Sequence, residues 1–574
     1  MLSTRRLTIV LVGMAMAMLI VVLRSAQVQV FAYSDYANQV RERQTTSYAI
    51  SAPRGKIYDR NGNLLAVSNR VYLLRFNFNV VTDTMKLASV MSPIVQLPVE
   101  GLRNRMEAVI GDRKNITSTL STVLLSGLSP QVTQNLMTAV RKAGLAGLYD
   151  PEEYWARTYP QGKLAGPVLG FVNLQPKGYS GVEGYYNQSL DSSPGGFAEL
   201  GRQHLIGITL TQQGADVMLT LDMTLQRYVE DRLQQAMKEY EPKGGSILVM
   251  DTQTGAILAS ASAPGYDPNN AVQIASQPGA RLFDPAVTSL YEPGSVIKLL
   301  TTAAAFQHGV ITEGKIYQDE VKLNIGGKYI YNSDRGAHGK VDVEDMLRLS
   351  LNVVAAKIAI EMGPEKFYET FHKFGMGAKS GVDLAGEQTG VLRTPQSEQW
   401  SKADLATNSY GQGMSATPLQ VLTAMNAIAN DGVLVQPYAV QQWRAATAGG
   451  RGETSRQIVP VQRVISPDVA LRVRLLMAAA TRKATPKALL DGYTVAGKTG
   501  TADWYENGIK QDSTYVTYVG MVPAEQPRIT VLVKFDQPNA KYRWASDSTV
   551  PVFHDVAEKA VQVLGIPSME VESP

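Results

Sequence analysis

The stretch Tyr291-Glu-Pro-Gly-Ser-Val-Ile-Lys-Leu-Leu300 sets a serine and a lysine three residues apart, directly after a Pro-Gly turn signal. Residues i and i+3 of a helix share a face, so Lys298 can hold its amine against the Ser295 hydroxyl. The turn also puts Ser295 at a helix N-terminus, where backbone N–H groups and the dipole favour a developing anion. A serine hydroxyl is a poor nucleophile until a base takes its proton. A lysine can be that base only after losing its own proton, which requires desolvation or a neighbouring cation. The same residues also read as a capped helix with a solvated lysine in its first turn.

Two later stretches carry related chemistry. Ser350-Leu-Asn352 lies between helical runs in LRLSLNVVAAKIA. As an extended link it can point two polar groups into one cleft, and it equally reads as a cap on the following helix. The third stretch is Val495-Ala-Gly-Lys-Thr-Gly-Thr-Ala502. In a strand, Thr499 and Thr501 project from one face and offer two hydroxyls to a carboxylate. Gly500 leaves the backbone open to close approach by a ligand. Lys498 attracts an anionic substrate and can help keep Lys298 neutral. The letters Gly492-Tyr-Thr-Val-Ala-Gly-Lys-Thr499 fit the phosphate-loop frame G-x-x-x-x-G-K-[ST], but that loop must lead into a helix, and residues 495–504 read as a strand.

Composition narrows the classes further. The 574 residues suit two to four domains, and 44% hydrophobic with 18% charged residues allows a large core. A net charge of +4 is small for this length. With no basic patch interleaved with aromatics, it gives no ground for a nucleic-acid partner. The chain has no cysteine, which excludes a disulfide framework, thiol catalysis and cysteine-ligated metal. His204, His308, His338, His372 and His554 are scattered, without an HExxH or paired spacing. Neither a protein-built metal site, nor a Ser–His–Asp triad, nor a cofactor is expected.

Elements that must position the three stretches can be read around them. Residues 51–66 predict strand, Asn-Gly turn, strand. Residues 80–147 are mixed helical, and residues 216–222 form a strand running into an amphipathic helix over 223–240. Residues 245–251 and 256–261, joined by Thr252-Gln-Thr-Gly255, predict a hairpin. Helices follow over 296–308, 343–349 and 352–362, then strands over 495–504, 515–522 and 528–535 and a closing helix over 552–564. Strands at both ends with helices between predict one sheet assembled from the two termini of the segment, an α+β domain. Residues 445–455, with Gly-Gly-Arg-Gly, read as a surface loop. At the N-terminus, Arg5 and Arg6 precede an uncharged apolar run over 7–23, near the short limit of about 17 residues for crossing a bilayer. Apolar residues continue past Arg24 without a small-x-small exit site, which fits an uncleaved anchor better than a cleaved signal peptide. The two arginines place the N-terminus in the cytoplasm and the rest outside.

Taken together and in this order, the SxxK, SxN and KTG stretches are the motif triple of penicillin-binding proteins and class A β-lactamases. The chain resembles a class B penicillin-binding protein, a membrane-anchored peptidoglycan D,D-transpeptidase. Arg54-Gly-Lys-Ile-Tyr-Asp-Arg-Asn-Gly62 resembles the family's pedestal motif, and Gly181-Val-Glu-Gly184 with Tyr186 its second pedestal box. Tyr410-Gly-Gln-Gly413 with Thr417-Pro-Leu-Gln420 resembles the segment ahead of the KTG strand. The resemblance runs from residue 1 to about 565, with no family signature over 82–148. It implies an α+β fold, a penicillin-binding/serine β-lactamase-like transpeptidase domain of sheet and flanking helices, on an elongated N-terminal pedestal with a single transmembrane helix. The implied division is a cytoplasmic tail over 1–6, an anchor over 7–23, a stalk and pedestal over 24–240, the transpeptidase domain over 241–566 and a disordered tail over 567–574.

The resemblance also implies roles. Ser295 attacks the D-Ala–D-Ala carbonyl of a stem peptide and Lys298 takes its proton. Ser350 relays a proton to the leaving amine, Asn352 holds the substrate amide, and Lys498 supports the network. Thr499 and Thr501 bind the terminal carboxylate beside Gly500, and the Ser295 and Thr501 N–H groups form the oxyanion hole. Implied partners are peptidoglycan stem peptides, β-lactams as covalent inhibitors, a SEDS-type glycan polymerase and other divisome or elongasome membrane proteins. Tyr159-Pro-Gln-Gly-Lys-Leu-Ala165 with Leu169-Gly-Phe-Val-Asn173 looks more like the division-type than the elongation-type subfamily. The alternatives are an elongation-type enzyme, a β-lactamase or D,D-carboxypeptidase, and a non-catalytic cell-wall scaffold.

Overall fold

The computed structural model describes residues 4–27, 29, 45–50, 52–77, 80–81, 83–111, 122–173, 176–192, 195–200, 204–209, 212–447, 450–506 and 509–568. They divide into two compact units. The first takes its residues from Met1–Pro53 and Ser192–Gly214. It holds helix α1 (Thr4–Ala26) and a three-stranded antiparallel sheet in the order Thr45–Ile50, Gly195–Leu200, His204–Thr209. Helix α1 is long and apolar enough to cross a membrane, and its apolar span Ile9–Ala26 ends past the run read from sequence. Residues 30–44 of the expected stalk, and residues 569–574 of the tail expected over 567–574, lie outside the described residues.

The second unit, Arg54–Asp191 with Ala215–Pro574, contains the chemistry-bearing stretches. Its N-terminal part supplies β1 (Ile57–Tyr58), β2 (Leu64–Phe76), β3 (Thr122–Leu128), β4 (Glu152–Thr158) and β5 (Asp216–Leu219). Strand β5 leads into α2 (Met223–Glu239), whose N-cap Asp222 accepts hydrogen bonds from the Thr224 and Leu225 N–H groups. Leu225, Val229, Leu233 and Ala236 form its buried face at helical spacing. The hairpin β6 (Gly244–Asp251) and β7 (Ile257–Ala263) comes next.

Helices α3 (Lys298–Gln307), α4 (Val343–Leu349), α5 (Asn352–Met362) and α6 (Pro418–Ala429) fill the middle of the chain. After strands β8 (Val440–Thr447) and β9 (Gly450–Ser455) come α7 (Pro467–Ala484), β10 (Ala496–Glu506), β11 (Ile509–Val522), β12 (Ile529–Asp536) and α8 (Thr549–Val563). The five-stranded sheet has the order β7-β6-β12-β11-β10 and is antiparallel throughout. It is thus assembled from both ends of the segment, as the strand pattern predicts. One face packs on α2 and α8, through Val229, Leu233, Phe553 and Val556 against Ile247, Tyr518 and Phe535. The other packs on α3 and α6, through Leu299, Leu300 and Val421 against Leu248, Val519 and Leu532. Strand β10 is left at the sheet edge.

Residues 445–455 correct the sequence reading. The described ones, 445–447 and 450–455, belong to the paired strands β8 and β9, with Gln442 opposite Ser455 and Thr447 opposite Gly450. Strand β8 also pairs with β5, extending the N-terminal sheet to the order β9-β8-β5-β1-β2-β3, with β4 on β2. The backbone of β8 and β9 is paired while their described side chains are largely solvated, so no apolar alternation marks them in the sequence. The described residues of 83–148 pack a helical layer on β2 and β3. Leu87, Met91, Leu102, Met106, Leu136 and Val140 close over Leu74 and Phe76.

The pedestal motifs have a physical meaning in this fold. Asp59 Oδ1 accepts from the Asn61 and Asn63 N–H groups at 2.9 and 2.7 Å, which closes the Asn-Gly turn. Its Oδ2 accepts from the Met223 N–H at 3.1 Å, tying that turn to the start of α2. Glu183 is fully buried between two guanidinium groups, Arg54 Nε at 2.6 Å and Arg157 Nε at 2.6 Å. The Tyr159 hydroxyl donates to it at 3.3 Å. Burial alone pushes the Glu183 carboxyl up, but Arg157 and Arg54 hold it below the usual carboxylate range. Its stabilisation is therefore present above the ordinary carboxylate pKa and is lost as pH falls through the depressed value. Replacing Glu183 by Gln leaves two buried guanidinium groups without a counter-charge, which costs about 3–5 kcal/mol. The thermal unfolding midpoint of Glu183→Gln is expected to fall several degrees, and an unchanged midpoint refutes the role.

Candidate active site

Ser295 does not open an α-helix. It lies in a 3₁₀ turn, Gly294–Ile297, and α3 begins at Lys298. Side chains at i and i+3 eclipse in a 3₁₀ turn, and Lys298 Nζ lies 2.6 Å from Ser295 Oγ. Neither the turn nor α3 has a side-chain cap, so the serine hydroxyl is not spent on capping. Lys298 is not solvated either, being 0% exposed. The capped-helix reading is thereby set aside.

The second stretch is a tight corner and not an extended link. Ser350 ends α4 in the left-handed region at φ 58°, Leu351 is extended, and Asn352 is the first residue of α5. A left-handed conformation is costly for a residue with a Cβ. Here it turns both the carbonyl and the hydroxyl of Ser350 toward one point. Lys298 Nζ lies 2.9 Å from Ser350 O, 3.2 Å from Ser350 Oγ and 2.7 Å from Asn352 Oδ1. Asn352 is held by its own Nδ2 donating to the Tyr331 carbonyl at 2.9 Å. The cap of α5 is Leu351, without a side-chain bond, so Ser350 and Asn352 both serve the lysine.

The third stretch lies on the edge strand β10. Lys498, 5% exposed, donates to Ser350 Oγ at 3.0 Å, so the Ser350 hydroxyl joins the two amines. Thr499 and Thr501 share a face of β10 and are partly exposed, with Thr499 Oγ1 3.3 Å from Lys498 Nζ. The close approach at Gly500 is made by the chain itself: a Cβ there would sit 2.5 Å from Pro293 O. Gly294 mirrors it, with φ +65° and a Cβ position 2.8 Å from Thr501 O. Only residues without a Cβ let the serine turn press against the KTG strand this closely.

Tyr410-Gly-Gln-Gly413 completes the junction. Gly294 N–H donates to Gly411 O at 3.0 Å, and Gly413 N–H donates to Glu292 at 2.9 Å. The Tyr410 ring centroid lies 5.8 Å from Lys298 Nζ. Sequence reasoning assigned no role to Glu292, and only the tertiary contact with Gly413 reveals one. Arg157, the second cation on Glu183, was likewise missed, because nothing in its strand marks it.

Electrostatics follow from burial. Desolvation and then the neighbouring Lys498 charge draw the Lys298 amine well below its ordinary pKa. Desolvation alone draws Lys498 down to about 7. The two titrate as a pair, and charge on Lys498 disfavours a proton on Lys298. A neutral Lys298 amine has two N–H groups, enough for Ser350 O and Asn352 Oδ1, and one lone pair facing the Ser295 hydroxyl. The arrangement can deprotonate a serine without a histidine or a metal.

Comparison with known proteins identifies the family and gives residues 82–148 the family signature that the sequence reading did not find there. Residues 245–558 match the penicillin binding protein transpeptidase domain, and residues 49–198 match the penicillin-binding protein dimerisation domain. The chain belongs to the penicillin-binding protein transpeptidase family. A relative in Neisseria gonorrhoeae named probable peptidoglycan D,D-transpeptidase PenA is 30% identical, over 98% of this chain and 94% of its own. Peptidoglycan D,D-transpeptidase FtsI of Escherichia coli is 27% identical, over 90% of this chain and 84% of its own. The crystal structure of penicillin binding protein 3 from Mycobacterium tuberculosis complexed with aztreonam has a TM-score of 0.68 at 26% identity, covering 91% of this chain and 98% of that one. Three separate stretches of this penicillin-binding protein meet at the Ser350 hydroxyl.

The lysine pair sets the pH response. Acylation of Ser295 is expected to slow as the medium is acidified, because a proton on Lys298 removes the base. Lys498→Met removes the charge that holds Lys298 down, so the acid limb of the rate profile moves to higher pH. Stopped-flow acylation across the pH range checks this, and an unmoved limb refutes the coupling.

Proposed function

We propose that the chain is a serine-type peptidoglycan D,D-transpeptidase, penicillin-sensitive, cross-linking stem peptides through an acyl-enzyme on Ser295. The observation that carries this is the buried Lys298 amine 2.6 Å from a partly exposed serine hydroxyl. Ser295 Oγ attacks the carbonyl of the penultimate D-Ala while its proton passes to Lys298 Nζ. The oxyanion is held by the Ser295 and Thr501 N–H groups. Collapse breaks the D-Ala–D-Ala bond, and the leaving amine takes a proton through Ser350, which both lysines reach. Asn352 holds the substrate amide, and Thr499 and Thr501 receive the terminal carboxylate beside Gly500. An amine of a neighbouring stem peptide then attacks the acyl-enzyme, returning Ser295 to its starting form and leaving a cross-link.

The wider assignment follows the same reading. Helix α1 anchors the chain in the cytoplasmic membrane, with Arg5 and Arg6 inside and the catalytic part on the periplasmic or extracellular side. Residues 24–240 act as stalk and pedestal, and residues 241–566 as the transpeptidase domain. The segments Tyr159–Ala165 and Leu169–Asn173 favour a role in septation over elongation. The pedestal carries no glycosyltransferase signature, so a SEDS-type membrane polymerase supplies the glycan strand and contacts the anchor and pedestal, beside other divisome proteins.

Ser295→Ala is expected to abolish covalent labelling by a fluorescent penicillin, and persistent labelling would sink the nucleophile assignment. Thr499→Val with Thr501→Val is expected to slow acylation, since each hydroxyl bond to a charged group is worth about 1.5–3 kcal/mol. An unchanged second-order rate would remove both threonines from carboxylate binding.

A further inference from the structure

A cavity of about 780 Å³ opens at the end of the five-stranded sheet, and none of the residues assigned to the catalytic cluster lines it. Three cationic side chains face it, Lys243, Arg281 and Lys534, against one carboxylate, Asp536. Lys534 is 2% exposed and ion-pairs with Asp536. Its ammonium lies 4.8 Å from the Tyr291 ring centroid and 5.2 Å from that of Tyr515. The single carboxylate is therefore already engaged. Among the described residues, Arg281 and Lys243 ion-pair with no carboxylate. Burial, with the Arg281 charge added, draws the Lys534 amine below its ordinary pKa despite Asp536. The lining thus has an excess of positive charge, which an entering anion would relieve.

The remaining walls are aromatic and amide. Trp504 and Tyr515, with ring centroids 5.0 Å apart, form one side. Gln388 and Gln537 add hydrogen-bonding amides. Position matters as much as chemistry. Ser289 and Leu290 line the cavity and run directly into the turn that carries Ser295, while Trp504 follows Thr501 by three residues on β10. The cavity therefore borders both segments that carry the reaction. A stem peptide of peptidoglycan bears carboxylates and hangs from a sugar whose ring faces stack on aromatic side chains.

We propose that this cavity is a second peptidoglycan-binding site, taking an anionic muropeptide with its sugar on Trp504 and Tyr515 and its carboxylates at Arg281 and Lys243. The proposal rests on the transpeptidase reading above. Holding the same polymer at two points raises the effective concentration of its other stems at Ser295 without any new contact in the catalytic cluster.

The test uses the full chain in detergent, with Ser295 first acylated by benzylpenicillin. The probe is a disaccharide-tripeptide muropeptide, which lacks D-Ala–D-Ala and cannot act as a donor. Titration calorimetry is expected to show saturable binding to the acylated chain. Lys243→Glu with Arg281→Glu is expected to weaken it by at least about tenfold, while the rate of benzylpenicillin acylation stays unchanged. No binding to the acylated chain, or equal affinity in the charge-reversed variant, overturns the site. Equal affinity for an oligoglutamate peptide of the same charge also overturns it, by pointing to an acidic protein segment as the occupant. Failure of benzylpenicillin to form an adduct marks failure of the transpeptidase reading. Muropeptide binding to the Ser295→Ala chain then decides the second site alone.

Discussion

Keeping one amine uncharged inside the protein is the constraint around which the catalytic half is built. A buried ammonium costs several kcal/mol unless it is paired with an anion, and Lys298 has only neutral oxygens around it. The cheaper state is the free amine, which is also the state that can take a proton from Ser295. Everything near it reinforces that choice. Helix α3 is buried from Lys298 to Phe306, so water cannot reach the amine along the helix. Lys498 adds a like charge when protonated, and the acceptors at Ser350 and Asn352 use up the two N–H groups.

Holding that arrangement requires a rigid scaffold, because the three stretches lie far apart along the chain. The five-stranded sheet supplies it, clamped between two helical layers, with β10 free at the edge to meet the serine turn. The contact is close enough that Gly294 and Gly500 are both required by the backbone itself. The left-handed Ser350 is a local cost of about 1–3 kcal/mol. It is tolerated because its carbonyl and hydroxyl both gain amine partners.

The pedestal is joined to this scaffold through a shared sheet. Strand β8 lies far along the chain beyond the nucleophile, yet it pairs with β5 from the N-terminal part. Tyr186 adds a hydrogen bond to Asp383 at 2.8 Å, and Arg456 pairs with the same carboxylate at 3.0 Å. Together with Glu183 between Arg54 and Arg157, these buried charges link loops that have little apolar surface of their own.

Much of this was legible in the sequence, and the boundary is instructive. Local signals marked the apolar N-terminal run, the hairpin at residues 244–263, the helices with clear apolar faces and the strands of β10 to β12, because propensity and turn chemistry act over a few residues. The three motifs singled out Ser295, Lys298, Ser350, Asn352 and Lys498, which the fold brings together, because few residue types can supply a nucleophile, a base and a carboxylate cradle. Other features were beyond reach. The sequence left open whether Lys298 was solvated, since burial of one amine depends on packing by residues up to a few hundred positions away. It hid the pairing of β8 and β9, whose stability comes from partners and not from their own composition. It also hid the second cation on Glu183 and the cavity at Lys534. By itself, the sequence determined which chemical groups are present and in what order. The tertiary structure decided which of them are dry, which touch, and therefore which lysine can act as a base. Desolvation and distance are properties of the folded chain and not of any segment of it.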